Sequence, residues 1–382
     1  MRVWLLVFIA FFPVGHLRSP LKADDLYPTN NDPTRQVRFA TPAEADARRA
    51  ALIGFIFFGG LPTEKLPKIE NNPSLPEGFT DIAPEVFERA DCLVSEIANW
   101  GFYGKTYLLH PVEKRNASRL VIVHQGHAHD LSCGVGRTAE RLLRAGFTVA
   151  VMQMPLLGWN DDREGSLPNG PPFSFTQTGT KGHDEMFRTL AETVDGAMFR
   201  FFLEPVVQTV NHFLATNPGA RDVSMVGLSG GGWTTSLAAA LDKRIRLSVP
   251  VAGSAPLYVR NADKHSRGDA EQVYSPLFDE DIAEDGTGGG VATWLEIYAL
   301  GGYGENRRQI YVTNEFDSCC FAGRFPERFK EIISRLVEED LGRGRWEHVL
   351  DSSHESHLIS DWTIREIIEP ALGIDPAPGP IE

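Results

Sequence analysis

The chain has 382 residues, and 37 Lys and Arg against 51 Asp and Glu give a formal net charge of −14. So acidic a balance argues against nucleic acid as a ligand, because phosphate backbones need a concentrated basic surface. With 42% hydrophobic and 23% charged residues, and Gly and Pro spread along the chain, disorder and coiled coil are excluded and one large globular domain with an appendage is expected.

In chain order, Met1-Arg2 followed by an apolar stretch over residues 3–15 has the charged start and short apolar centre of a secretory signal, assigned to residues 1–23. A cut near Ala23 would leave Leu21 at the −3 position, so an uncleaved N-terminal anchor is the alternative and the only expected membrane contact. Residues 24–104, rich in Pro, Asn and charge, read as an N-terminal extension, with a helix over 41–52 that Thr41 caps and Pro42 opens. From residue 105 short β-rich runs alternate with helical segments. Strands are expected over 105–110, 120–124, 147–152, 223–226, 245–251, 309–313 and 346–350, and helices over 138–145, 196–215, 232–241, 326–341 and 360–372. Continuous apolar runs such as Leu120-Val121-Ile122-Val123 mark strands buried on both faces, hence a mostly parallel sheet covered by helices, the α/β class. Two connections, 156–195 and 254–307, are too long for ordinary loops and are expected to wall a cleft, with Trp159, Phe173, Phe175, Tyr258, Tyr274 and Trp294 available for stacking on a ligand or, for at least half of them, for packing into small local cores. Residues 373–382 form a C-terminal tail.

The strand over 223–226 runs into Gly227-Leu228-Ser229-Gly230-Gly231 and then into a helix rich in small residues. This is G-x-S-x-G between a strand and a helix. A nucleophilic serine needs that context, because the tight turn exposes its hydroxyl and the flanking glycines remove Cβ atoms that would clash. The helix N-terminus beside it offers backbone N–H groups to developing negative charge.

On this motif the chain over residues 105–372 resembles the α/β-hydrolase superfamily, in which the triad follows the order nucleophile, acid, histidine. The segment Gln309 to Asp317 resembles the family's strand and turn that deliver the acid, and Ser356-His357-Leu358-Ile359-Ser360 its final histidine segment. The resemblance thus implies Ser229, Asp317 and His357 as catalytic residues, with Glu315 and His354 as the competitors for acid and base. Val123-His124-Gln125-Gly126-His127 has the shape of the family's H-G oxyanion loop with one residue inserted. The two oxyanion donors are then the backbone N–H groups of Gly230 and His127, with Gln125 as the alternative to His127. The residues Ala238 to Ile245 resemble the helix-to-strand connection of the dienelactone hydrolase and acetyl xylan esterase branches.

Two further clusters carry weaker signals. His124, His127, His129 and Asp130 invite a metal reading, but their spacing is not that of a zinc motif and the serine elbow would be left unexplained, so neither metal nor cofactor is implied. Gly182-His183-Asp184-Glu185 reads as a helix start capped by Asp184, with a substrate contact as the alternative. Four cysteines, Cys92, Cys133, Cys319 and Cys320, suit an oxidising compartment. Cys319 and Cys320 can pair with each other, or one of them with Cys92 or Cys133, and either would stiffen the turn holding Asp317.

The expectation is therefore an exported, secreted or periplasmic, serine hydrolase that cleaves carboxylic esters through an acyl-enzyme intermediate. A small-molecule or polymer-borne ester, such as an acyl group on a carbohydrate or a plant-derived polymer, is the expected substrate. A peptidase of the prolyl-oligopeptidase type and a non-catalytic binding protein of the same fold are the competing readings.

Overall fold

The computed structural model describes residues 32–374 apart from 80, 169, 261–267 and 284. The expected signal segment, 1–23, and most of the tail lie outside the described residues. Eleven strands follow one another along the described chain: β1 Lys68–Asn71, β2 Phe87–Ile97, β3 Phe102–Pro111, β4 Asn116–His124, β5 Phe147–Met152, β6 Glu164–Ser166, β7 Pro172–Ser174, β8 Asp222–Leu228, β9 Ile245–Val251, β10 Arg308–Asn314 and β11 Arg345–Asp351. Nine of them form one sheet in the order β1-β2-β3-β5-β4-β8-β9-β10-β11, while β6 and β7 make a separate hairpin. Pairing is antiparallel from β1 to β5 and parallel from β5 through β11.

The apolar runs build this sheet because side chains alternate across it. Leu120 and Ile122 of β4 enter the core on one face, Val121 and Val123 the core on the other, and none of the four is exposed to solvent. Burying such a side chain contributes roughly 1.5–3 kcal/mol. Helices α2 (Val135–Arg144), α4 (Arg200–Thr216) and α5 (Gly230–Leu241) cover the faces, α2 against β4 and β5, α4 against β2 and β3, and α5 against β8 and β9.

The N-terminal region is more than an extension. The segment expected to lie outside the domain supplies β1 and β2, which lengthen the sheet at its antiparallel edge. Its helix α1 (Pro42–Phe57) starts with a capping box between Thr41 and Glu44 and buries Leu52, Ile56 and Phe57 in the main core. Arg49 of α1, almost wholly buried, donates to the carbonyls of Ala240, Leu300 and Tyr303, which lie at the C-terminal ends of two helices. A cation there satisfies carbonyls that have no partner within their own helix.

The first long connection holds the β6–β7 hairpin and helix α3 (Gly179–Val194), and the second holds helical turns at Ala270–Val273 and Ser275–Phe278 and the helix Trp294–Gly302. The expected helix over 326–341 divides into a 3-10 turn Phe325–Arg328, an α segment Lys330–Arg335 and a π turn Leu336–Asp340. No helix among the described residues is long and apolar enough to cross a membrane.

Candidate active site

Strand β8 lies between β4 and β9, and its chain turns at once into α5. At the junction Ser229 takes φ 56° and ψ −124°, a backbone region that costs a non-glycine residue on the order of 1–3 kcal/mol. Neighbouring glycines make so tight a turn feasible. A Cβ on Gly227 would stand 2.2 Å from the carbonyl oxygen of Gly231, and a Cβ on Gly231 would stand 2.2 Å from that of His124. The crossing of strand, helix and the loop after β4 is thus closed to any larger residue.

That loop lies directly on the elbow, since a Cβ on Gly126 would meet the Ser229 Cβ at 2.6 Å. Gln125, the residue inserted into the H-G pattern, clamps it: its Nε2 donates to the carbonyls of Asp130 and Ser132, and its Oε1 accepts from the Gly126 N–H at 2.8 Å. The Gln125 N–H donates to the Met152 carbonyl. With Gln125 and Gly126 engaged, the His127 N–H has no acceptor among the described residues. The N–H of Gly230, in the first turn of α5, likewise lacks a partner within its helix.

The acid turn follows β10. His357 Nδ1–H donates to Asp317 Oδ2 at 2.7 Å, and the backbone N–H groups of Cys319 and Cys320 donate to Asp317 Oδ1 at 2.8 and 3.1 Å. Asn314 bridges the two loops through its Nδ2, which donates to both Asp317 Oδ2 and the Leu358 carbonyl. Burial alone would raise the pKa of Asp317, but the hydrogen bond and charge of His357 and the two backbone donors hold it below the ordinary carboxylate value. Cys319 and Cys320 are joined to each other in a disulfide, and Cys92 and Cys133 are free.

The competing residues go elsewhere. Glu315 pairs with Arg324 at 2.7 Å and accepts from Ser352, so its carboxylate is held at the surface. His354 Nε2 lies 3.5 Å from Asp351, whose carboxylate already serves Ser353, Ser360 and Thr363.

Ser229 and His357 line the same cavity, of about 320 Å³, together with His127, Gln272, Cys320 and Phe321. His357 Nε2 is buried there and makes no hydrogen bond with a described residue. Both insertions reach this cavity, the first through Thr180 and the second through Gly268, Asp269 and Gln272. None of the six aromatic residues available for stacking on a ligand lines it, and all six take the alternative of packing into cores. Trp294 stacks on Phe278 at 4.7 Å, Phe173 and Phe175 pack with Phe102 and Phe201, Trp159 with Phe79 and Tyr107, and Tyr274 with Phe187 and Phe199, while Tyr258 is buried in the same main core. Large aromatic surfaces gain most from burial, and here local cores take them.

A second group of side chains adjoins the cavity and was not legible from spacing. His127 Nε2 stands 3.3 Å from His183 Nδ1, 3.4 Å from Glu271 Oε1 and 3.5 Å from Asp269 Oδ2. His183 comes from α3 and both carboxylates from the second insertion, so three separate segments meet. Burial opposes the charged form of His127, but Glu271 and Asp269 outweigh it and hold the imidazole pKa above its ordinary value. Burial likewise pushes Glu271 up, and His183 and His127 overcome that to hold it well below the usual carboxylate range. Of the other members of the expected His-rich cluster, His124 is fully buried, bonds through Nδ1 to the Gln125 carbonyl and has its pKa pushed down to about 4 by burial, while Asp130 accepts from the Ser132 N–H.

No family model matches the chain, and no curated protein is similar to it in sequence. Similar solved structures include Methylesterase BT1017, with 15% identity and a TM-score of 0.53 over 88% of this chain and 66% of that one. They also include the acetyl xylan esterase from Paenibacillus sp. R4 (13% identity, TM-score 0.49, 94% and 100% covered). Acetyl Xylan Esterase 1 from Thermoanaerobacterium sp. JW/SL YS485 is a third (17% identity, TM-score 0.49, 91% and 98% covered). The chain spans just under two thirds of the length of the first of these. With its parallel strands covered by helices on both faces and its likeness to that first structure, the chain has the α/β-hydrolase fold.

Proposed function

We propose that the protein is a serine esterase in which Ser229 is the nucleophile, His357 the general base and acid, and Asp317 the residue that orients it. The observation that carries this reading is the meeting, on one cavity, of a serine at a strained elbow and the free nitrogen of an imidazole whose other nitrogen is held by a buried carboxylate. With Nδ1–H bound to Asp317, the neutral imidazole keeps its lone pair on Nε2, and that nitrogen takes the Ser229 proton as Oγ attacks the ester carbonyl carbon. The tetrahedral oxyanion would be received by the N–H groups of His127 and Gly230. Collapse breaks the bond to the alkoxy oxygen, and His357 returns the proton to it, releasing the alcohol. Water, deprotonated by the same imidazole, then releases the acid and restores Ser229.

The likeness to esterases supports a carboxylic ester substrate, and an acyl group on a carbohydrate or plant-derived polymer remains the reading of first choice. Export is proposed on the N-terminal sequence, and the disulfide between Cys319 and Cys320 supports an oxidising compartment. The test combines labelling by a fluorophosphonate probe with a panel of acyl esters and acetylated sugars set beside a dipeptide amide. Labelling that disappears in Ser229→Ala, with kcat lowered roughly 10⁴-fold or more, is expected. More than a tenth of the activity surviving in that variant would exclude Ser229, and hydrolysis of the amide alone would favour a peptidase.

A further inference from the structure

We propose that His127, His183 and Glu271, with Asp269 beside them, form a binding site for one divalent cation of the zinc class. The site lies beside the proposed catalytic residues and uses none of their side chains.

The distances carry the first part of the argument. Donor atoms bonded at about 2.0–2.1 Å around a tetrahedral ion stand roughly 3.3–3.4 Å from one another. His127 Nε2, His183 Nδ1 and Glu271 Oε1 are mutually separated by 3.3, 3.4 and 3.5 Å, whereas Asp269 Oδ2, 3.5 Å from His127 Nε2, lies outside this compact group of three. Those separations exceed the usual 2.7–3.2 Å or so of an N–H···O hydrogen bond.

Proton counting carries the second part. His183 Nε2 lies 2.9 Å from the Pro155 carbonyl, which can only accept, so the proton of a neutral His183 sits on Nε2 and its Nδ1 presents a lone pair. Three lone-pair atoms, from His183, Glu271 and Asp269, therefore converge on a single His127 nitrogen that can offer them one proton. Glu271 and His183 are wholly buried, and neither carboxylate oxygen of Glu271 accepts a hydrogen bond from a described residue. A buried carboxylate left so is costly, and a cation at the centre would satisfy His127, His183 and Glu271 together, with the Asp269 carboxylate or a water completing a four-coordinate shell.

The ligand chemistry and surroundings agree. Two imidazoles with carboxylate oxygens suit zinc and its first-row neighbours better than calcium or magnesium, which take oxygen ligands. The Nε2–H bond of His183 to a backbone carbonyl is the outer support that fixes a ligating ring and its tautomer. His127 and Asp269 both line the cavity, which gives an ion a path to the site. Bound there, it would tie the loop after β4 to both insertions and fix the ring of the residue whose N–H is the proposed oxyanion donor.

The full chain, stripped of metal with a chelator and dialysed, is titrated with Zn²⁺ by calorimetry and with Co²⁺ by visible absorption. One Zn²⁺ per chain, a raised Tm and the intense visible bands of four-coordinate cobalt are expected. Glu271→Gln and His183→Ala should each weaken binding by about a hundredfold or more. Absence of stoichiometric binding, or a full equivalent held at unchanged affinity by both variants, would overturn the proposal. Should the variants fail to fold, X-ray absorption of the wild-type zinc complex decides: a nitrogen and oxygen shell with two imidazoles supports the site, and sulfur ligands, which the proposed site does not contain, overturn it. None of these readouts uses ester hydrolysis, so the site and the esterase reading are tested apart.

Discussion

His357 Nδ1 lies 2.7 Å from Asp317 Oδ2, while Glu315, two residues before Asp317, is drawn away by Arg324. Asp317→Asn should then lower kcat by roughly 10³–10⁴-fold, because an amide that turns its N–H toward the ring would favour the wrong tautomer. Glu315→Gln, which breaks only a surface pair, should change kcat little and stability by no more than about 1 kcal/mol. His357→Ala should abolish turnover, whereas His354→Ala should only reduce it. Steady-state kinetics on the four variants check the assignment, and equal losses at Asp317 and Glu315 would refute it.

The elbow glycines make a prediction about folding. An alanine at 231 would place its Cβ against the backbone of His124, in the middle of the sheet, where neither side can move independently. Gly231→Ala should therefore destabilise by roughly 3 kcal/mol or more. Gly219→Ala, at a position where a Cβ meets nothing within 4 Å, should be close to neutral. Urea unfolding of both variants gives the comparison.

Glu280 is wholly buried and its pKa is raised by that burial to about 7, opposed by the hydrogen bond from the Tyr258 N–H and the charge of Arg260. A carboxyl whose folded pKa exceeds its unfolded value of about 4.3 binds a proton more tightly in the folded state, so its contribution to stability is lost as pH rises between those two values. The loss is on the order of 3 kcal/mol when complete. Glu280→Gln should match the wild type near pH 4, become progressively the more stable protein as pH rises between those two values, and keep the full difference above about pH 7. A stability difference that does not vary with pH would show that Glu280 is charged throughout.

The sheet was largely legible because Leu120-Val121-Ile122-Val123 and its neighbours are buried on both faces and leave no polar interruption. Strand β2 was not, since Glu88 and Arg89 are exposed and Asp91 is buried against Arg89 and His110, so three charged residues dilute its apolar signal. At the site, the elbow announces itself because strand, serine, glycines and helix are consecutive. The partners of His127 do not. His183 reads locally as part of a helix start, Glu271 as one acid among many, and only the folding of two insertions onto the loop after β4 brings them within 3.5 Å.

Aromatic content in the insertions is ambiguous in sequence, and it leads to a prediction about selectivity. Tryptophan in a long insertion serves a ligand or a core equally well as far as sequence goes, and Trp294 is fully buried against Phe278. Trp294→Ala should thus cost roughly 3–5 kcal/mol of stability and leave substrate preference unchanged. Gln272 differs: it lines the cavity shared by Ser229 and His357, and its buried Oε1 accepts no hydrogen bond from a described residue. A turn of the Gln272 amide would offer this oxygen to a hydroxyl of the substrate, and discrimination is strongest where a site would otherwise leave a polar group unpaired. Gln272→Ala should therefore lower kcat/KM for acetylated sugars by roughly tenfold or more relative to simple alkyl acetates, with little change in Tm. If the ratio of the two substrates stays constant in Gln272→Ala and moves in Trp294→Ala, the second insertion acts on the substrate through its core and not through the cavity wall.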